Sequence, residues 1–515
     1  MTATVADRTV GTVSPRPVDD LSGSGEHTHA VLIVGAGFSG IGMAIRLRQE
    51  GIHDAVVLER ASTLGGTWRD NTYPGSACDV MSLLYSFSFA PSTTWAHTFG
   101  KQPEILAYLQ ECSERFGISD QIRYNQEVVE ARWDERESVW TVHTGDTQYR
   151  ARVLVNATGY LSDPSLPDVP GVADFTGRIV HTSAWDAEID LTGKRVAVVG
   201  TGASAIQVVP AIQPQVESLD LYQRTPAWVA PKPDKEITDR EKWVRRNLPG
   251  YQRFRRNFNK YGREVLIPML SRPAVMEKTL QGQALKMLGE QIEDPQLREQ
   301  LTPDYTVGCK RILFSNAYYP ALAASNTTLV PSAVTGFTET GVVADGVERP
   351  ADVVVLATGF QATKRPVADR IVGRDGQSLT DAWSQTMSAY LGTTVHGFPN
   401  LFLMLGPNTA LGHSSQTVMI EAQIEYVLGA LRTMQDRGVA ALEVREEVQR
   451  SYVEWLQNRF EGTVWQSGGC TSWYQDSTGH NPSIWPTFTW TFRKQTRNFR
   501  AADYALVTTP VRASA

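Results

Sequence analysis

The chain has 515 residues, of which 42% are hydrophobic and 20% charged, and a net charge of −6. That length exceeds one ordinary core and predicts two or three domains. The acidic balance and the lack of any Lys/Arg block exclude a nucleic acid or an anionic membrane as partner, and no apolar run nears the roughly 20 residues that span a bilayer. The four cysteines, Cys78, Cys112, Cys309 and Cys470, are far apart and form no C-x-x-C pattern. Neither a metal site nor a redox dithiol is therefore expected, and without a secretory signal the cytoplasm is the expected compartment.

Residues 1–29 are rich in Ser, Thr, Gly, Pro and Asp without periodicity and read as a mobile tail. Ala30 to Val34 is a short apolar run, the pattern of a buried parallel strand. Gly35-Ala36-Gly37-Phe38-Ser39-Gly40 follows, then a helical stretch from Ile41 to Gln49 and a second strand, Ala55 to Leu58, that ends at Glu59. A strand, a G-x-G-x-x-G loop, a helix and an acid at the next strand end together form a dinucleotide-binding unit. Its glycines admit a pyrophosphate and the helix N-terminus stabilises the phosphate charge. Gly65-Gly66-Thr67-Trp68 and Cys78-Asp79-Val80 come next, then a helix opening at Gln102-Pro103-Glu104. Val153 to Gly159 is a further strand ending in Ala-Thr-Gly.

Phe175, Gly177, His181, Trp185 and Asp186 then fit F-x-G-x-x-x-H-x-x-x-W-D. Beyond them Arg195 to Val199 repeats the strand and Gly200-Thr201-Gly202-Ala203-Ser204-Ala205 repeats the loop, with alanine at the third glycine position. The following strand, Leu219 to Gln223, ends in Arg224 and Thr225. Glu59 and Arg224 each stand 24 residues after the first glycine of their own loop (59 − 35 and 224 − 200). An acid there suits a free ribose 2′-hydroxyl, whereas a guanidinium suits a 2′-phosphate. The pair therefore points to FAD in the first unit and NADPH in the second. The alternative for Arg224 is a surface salt bridge. Residues 230–305 shift to Arg, Lys, Gln and Glu with apolar residues at helical spacing, a helical insertion. Its Arg245-Arg246 and Arg253 to Arg256 read as a solvated face. Lys310-Arg311 precedes a second Ala-Thr-Gly strand, Val353 to Gly359. Phe398 to Asn408 reads as a buried strand ending in a turn, and a long helix runs from Thr417 to Met434, capped by Ser414 or Ser415.

The F-x-G-x-x-x-H-x-x-x-W-D segment between two glycine loops resembles the signature of the type I Baeyer–Villiger monooxygenases. The resemblance extends over about residues 30 to 490, with GG-x-W, CD and Lys-Arg in place. It implies an α/β fold of two Rossmann-like domains, one for FAD and one for NADPH, with a helical insertion in the latter. The implied division is 30–160 and 365–515 for FAD, 161–229 and 306–364 for NADPH, and 230–305 for the insertion. It implies a C4a-peroxyflavin that inserts oxygen beside a ketone carbonyl, with a small ketone and O2 as partners of a monomer or weak homo-oligomer. Carried over by position, Arg311 is catalytic and Asp79 its partner. Gly66, Thr67, Trp68, Asp79 and Tyr85 join Gly35, Gly37, Phe38, Gly40 and Glu59 at the flavin. Lys310 and Trp473 join Gly200, Gly202, Ser204, Ala205, Arg224 and Thr225 at NADPH. The fingerprint residues belong to a hinge. Tyr160 stands where the family often carries Gln, so substrate preference is expected to differ. The competing reading is a flavin monooxygenase acting on nitrogen or sulfur, which the Trp185-Asp186 ending disfavours.

Overall fold

The structure is a computed structural model and describes residues 27–508 apart from Asp146, Thr471 and Trp473. In chain order it begins with β1 (Thr28–Val34), α1 (Phe38–Gln49), β2 (Ala55–Leu58), α2 (Thr67–Asp70), β3 (Ala77–Met81) and β4 (Phe99–Lys101). Then come α3 (Gln102–Arg115), β5 (Ile122–Arg123), β6 (Glu130–Asp134), β7 (Val139–Thr144) and β8 (Thr147–Asn156). The first strand starts two residues earlier than the apolar run indicates, because Thr28 and His29 pair with Arg150 and Ala151 of β8. β1 lies between β2 and β8 and parallel to both, with Val34 level with Leu58 and Asn156. Three strand ends therefore deliver Gly35, Glu59 and Ala157 to one edge, where a doubly wound sheet binds its ligand. Val31, Leu32 and Ile33 are fully buried, as expected of a parallel strand covered on both faces. α1 is buried almost all round, between this sheet and the helix Gln416–Arg437.

A second, all-parallel sheet is built from β9 (Arg178–His181), β10 (Arg195–Val199), β11 (Ser218–Tyr222) and the strands Thr327–Val330 and Val353–Leu356. Helix α4 (Ala205–Ile212) follows its glycine loop. Val199 is level with Tyr222 and Leu356, so this sheet presents Gly200, the Arg224 region and Ala357 at its own carboxyl edge. Between β11 and Thr327 the chain is mostly helical: Asp239–Asn247, Tyr251–Arg263, Leu266–Leu270, Gly282–Gln291 and Pro295–Gln300.

Two expectations are corrected. The arginines of this helical stretch are not all solvated. Arg245 is buried and pairs with Glu241 at 2.7 Å, and Arg256 is turned inward to the Leu83 carbonyl at 2.9 Å. An antiparallel run, β6–β7–β8, adds to the expected elements; Thr144 pairs with Thr147 in it, and the sequence between them, Gly-Asp, is a hairpin dipeptide. The strand expected within Phe398–Asn408 is confined to Leu401–Leu403, because Asn400 and Leu405 take positive φ at its two ends.

Candidate functional site

The first glycine loop opens one side of a long cleft. Gly35 has φ +104°, and a Cβ there would lie 2.8 Å from the Ala157 carbonyl. Gly200 repeats the arrangement, with φ +110° and 2.6 Å to the Ala357 carbonyl. A Cβ on Gly40 would overlap the Gly35 carbonyl, so the first turn of α1 rests directly on the loop. Gly35, Gly37, Phe38, Glu59, Gly66, Thr67, Trp68 and Tyr85 all line the cleft; Gly40 lies beneath it. Glu59 is 4% exposed and accepts the Ala36 N–H at 2.9 Å, the Ala61 N–H at 3.0 Å and the Arg69 Nη1 at 2.7 Å. Trp68 Nε1 donates to the Tyr85 hydroxyl at 3.0 Å, and Phe38 packs edge-on to Tyr85. Burial pushes the Tyr85 phenol well above its ordinary value, so it stays protonated. On the opposite wall Gln416 and Thr417 begin the 22-residue helix Gln416–Arg437, capped by Ser415 through the Thr417 N–H. That N-terminus carries about half a positive charge. Glu59→Gln keeps the acceptor but loses the charge facing Arg69. It is expected to weaken FAD retention roughly fivefold, about 1 kcal/mol, as measured by flavin released on dilution.

On the second sheet Thr201 Oγ1 donates to the Thr225 carbonyl at 2.8 Å, fixing the loop against the residue after Arg224. Gly202 faces open space, and Ser204 meets the Tyr73 hydroxyl beside Ala205, where α4 starts. Arg224 is exposed and forms no ion pair among the described residues. Lys310 stands near it with Nζ 4.9 Å from the Tyr305 ring centre. Burial and the Arg224 charge together hold the Lys310 ammonium below its ordinary range. The Asp304 charge acts on Lys310 in the opposite sense, but neither cation has a carboxylate within 4 Å among the described residues, an arrangement suited to an anion.

Arg311 reaches across to β3, where Nε (3.0 Å) and Nη2 (2.5 Å) both donate to the same oxygen, Asp79 Oδ2. Its third nitrogen, Nη1, has no hydrogen bond among the described residues. The Asp79 charge raises the Arg311 pKa further despite burial. Burial pushes the Asp79 carboxyl up, but Arg311 overrides it and holds the group below the usual range. A second guanidinium, Arg263, faces the same carboxylate from the helical stretch and donates to the His413 carbonyl at 3.1 Å. Arg263 has no carboxylate within 4 Å among the described residues. Two cations against one anion leave this spot net positive. The hydroxyls of Tyr160 and Tyr474 lie in the field of Arg311.

The fingerprint segment joins the two sheets. His181 ends β9; its Nδ1 bonds the Ser183 hydroxyl at 2.7 Å, and its ring meets Phe360 edge-on. The short turn Thr182–Ala184 packs on α2 under the cleft. Phe175 is buried against Phe337, and a Cβ on Gly177 would strike the Phe175 ring and the Asp352 carbonyl. Trp185 packs on the second core and Asp186 pairs with Arg178. None of the five touches Arg311. Trp473 lies outside the described residues.

Residues 32–251 match the family described as pyridine nucleotide-disulphide oxidoreductase, which covers the glycine-loop units of both sheets. A Baeyer–Villiger monooxygenase of Pseudomonas aeruginosa is 48% identical over 94% of this chain and 92% of its own length. The chain belongs to the Baeyer–Villiger monooxygenases. An oxidised steroid monooxygenase bound to NADP superposes with a TM-score of 0.84, at 30% identity over 94% of this chain and all of that one. The OTEMO complex with FAD and NADP gives 0.82 at 25% identity, over 93% and 99%. The reaction of this monooxygenase is therefore NADPH-dependent oxygen insertion beside a ketone carbonyl, with FAD as its flavin.

The cysteines of this monooxygenase include a pairing that their spacing does not announce. Cys309 and Cys470 form a disulfide across 161 residues, while Cys78 and Cys112 are free and buried. Spacing cannot reveal a pair that only the fold brings together. The link joins the residue before Lys310-Arg311 to the segment before Tyr474. Denatured without reductant, the chain is expected to titrate two thiols with Ellman reagent, and four after reduction; four without reductant would refute the link. Sequence reasoning also missed Arg263, which carries no motif, and the buried contact of His413 with Glu264 at 3.4 Å. His413 is thus placed in the structural packing rather than beside Arg311. Trp485 is core, and Trp490 stacks on Phe488 at 4.1 Å.

Proposed function

We propose that Arg311 is the catalytic residue of this monooxygenase and that Asp79 aims it. The free Nη1 of Arg311 carries the proposal: two nitrogens anchor the fork and the third is left for a reacting oxygen. Bound FAD, once reduced by NADPH, supplies activated oxygen. The chain's own groups supply the rest. Arginine stays charged at any working pH, so the cation does not depend on a proton supply. In a water-poor site a fixed cation lowers the cost of negative charge developing on oxygen at the substrate carbonyl. Asp79 alone would cancel that charge; Arg263 supports a surplus. Glu59 and the first glycine loop hold the flavin nucleotide, and Arg224, Thr225 and Lys310 hold the 2′-phosphate end of NADPH. The five fingerprint residues align the two nucleotide sites and allow them to move. The division at residues 160, 229, 305 and 364, a cytoplasmic location and a small-molecule ketone as substrate belong to the same proposal.

The test reduces the purified protein anaerobically with NADPH, admits O2, and analyses a panel of aliphatic, cyclic and aryl ketones beside matched sulfides. Esters or lactones from at least one ketone class are expected. Sulfoxides without any ester would instead favour the nitrogen- and sulfur-oxidising chemistry.

A further inference from the structure

Outside the cofactor cleft one group of side chains has the chemistry of a metal site. His27 and His29 flank Thr28 at the start of β1, and a strand places residues two apart on one face. Asp54 immediately precedes β2, the parallel neighbour. Its Oδ2 accepts the Ala30 N–H at 3.0 Å, which fixes the carboxylate. Its other oxygen, Oδ1, lies 2.8 Å from His29 Nδ1 and 3.2 Å from His27 Nε2, and those two nitrogens are 3.0 Å apart. Three donor atoms thus form a closed triangle.

Hydrogen bonds alone do not satisfy that triangle. An ionised carboxylate oxygen carries no proton, and each ring nitrogen carries at most one. If both nitrogens donate to Oδ1, two N–H groups face each other across 3.0 Å. If one nitrogen donates to the other, the acceptor turns no proton toward Oδ1 and that edge becomes repulsive. A cation in the middle converts all three edges to favourable contacts. Bond lengths of about 2.0–2.2 Å to imidazole nitrogen and carboxylate oxygen put tetrahedral donors about 3.3 Å apart, so the triangle needs to open by only a few tenths of an ångström.

We propose that His27, His29 and Asp54 bind a first-row divalent cation of the Zn2+ class, with water completing four-coordination. Two imidazoles and one carboxylate form a borderline donor set that suits Zn2+ over Mg2+ or Ca2+. The site is a clip rather than a catalytic centre. It lies at the opposite end of β1 from Gly35, about 20 Å away at the usual rise per strand residue. It ties the chain entering β1 to the turn entering β2. His29 and Asp54 are 17% and 38% exposed at the side chain and form the fixed part of the site, while His27, 63% exposed and just before the strand, closes over it from the surface.

The untagged full-length protein is stripped with chelator and titrated with ZnCl2 by calorimetry, and with CoCl2 by visible absorption. One Zn2+ per chain and the d–d bands of tetrahedral Co2+ are expected. H27Q/H29Q and Asp54→Asn should each weaken binding at least ~10-fold, the loss that even outer-shell partners of a metal cause. Asparagine keeps the acceptor for Ala30, so Asp54→Asn guards against a folding failure, and ester formation should be unchanged in both variants. No saturable binding, or binding within about threefold of the parent in both variants, overturns the proposal.

Discussion

Arg311→Ala should eliminate ester formation, by roughly 1000-fold or more, while NADPH still reduces the flavin. Removing a single neutral donor to a developing oxyanion already costs about 100- to 1000-fold. Arg311 is a full charge, and although its side chain is 42% exposed, bound nucleotides and substrate would cover it and strengthen its field. The side chains proposed to hold the nucleotides, those of Glu59, Arg224 and Lys310, form no hydrogen bond with the Arg311 guanidinium among the described residues, so the reductive half of the cycle should survive. O2 uptake should then continue with hydrogen peroxide, rather than ester, as the product. Arg311→Lys separates charge from geometry. An ammonium restores the cation but cannot hold Asp79 Oδ2 through two nitrogens while presenting a third. Its rate should lie between alanine and parent. Stopped-flow absorbance follows reduction, and gas chromatography follows the ester. Unchanged ester yield in the alanine variant would remove Arg311 from the mechanism.

Much of this site was legible before any coordinates, and the reason is local. A glycine loop, the strand before it and the acid or arginine after it are fixed by neighbours within about 25 residues. Gly35 and Gly200 are needed because a carbonyl from a later strand stands against each. The Ala-Thr-Gly endings at Ala157 and Ala357 mark those strands in the sequence. Arg311 and Asp79 are different, being 232 residues apart. No periodicity links them, and only a family resemblance brought them together. The disulfide, Arg263 and the His27–His29–Asp54 triangle had neither kind of signal. Arg263 sits among arginines that read as a solvated face, because sequence cannot tell which side of a helix meets another domain. The Cys309–Cys470 bond lay outside the cysteine pattern for a related reason, since spacing rules cover only local pairs. Tyr160 illustrates the remaining gap. Its departure from the family residue was visible, but its place in the field of Arg311 and under the Arg365 guanidinium was not.

Arg224→Ala should raise the KM for NADPH roughly 10- to 100-fold and leave the KM for NADH unchanged. A hydrogen bond to a charged partner contributes about 1.5–3 kcal/mol, and only NADPH carries the phosphate that Arg224 would contact. The surface salt bridge that would have explained Arg224 otherwise is absent among the described residues. The Arg224 charge instead acts on another cation, Lys310. Removing Arg224 therefore relieves repulsion in the free protein as it removes attraction in the complex, and both effects weaken the preference for NADPH. The same geometry sets a pH dependence. Burial and Arg224 depress the Lys310 pKa in the free protein, and a bound 2′-phosphate would raise it again. Binding then takes up a proton at alkaline pH: affinity is full below the free-state pKa and falls as pH rises through the bound-state value. Lys310→Met should flatten that slope, and Arg224→Ala should move its onset to higher pH because the repelling charge is gone. A slope that survives Lys310→Met would assign the titration to another group and leave Lys310 outside the phosphate site.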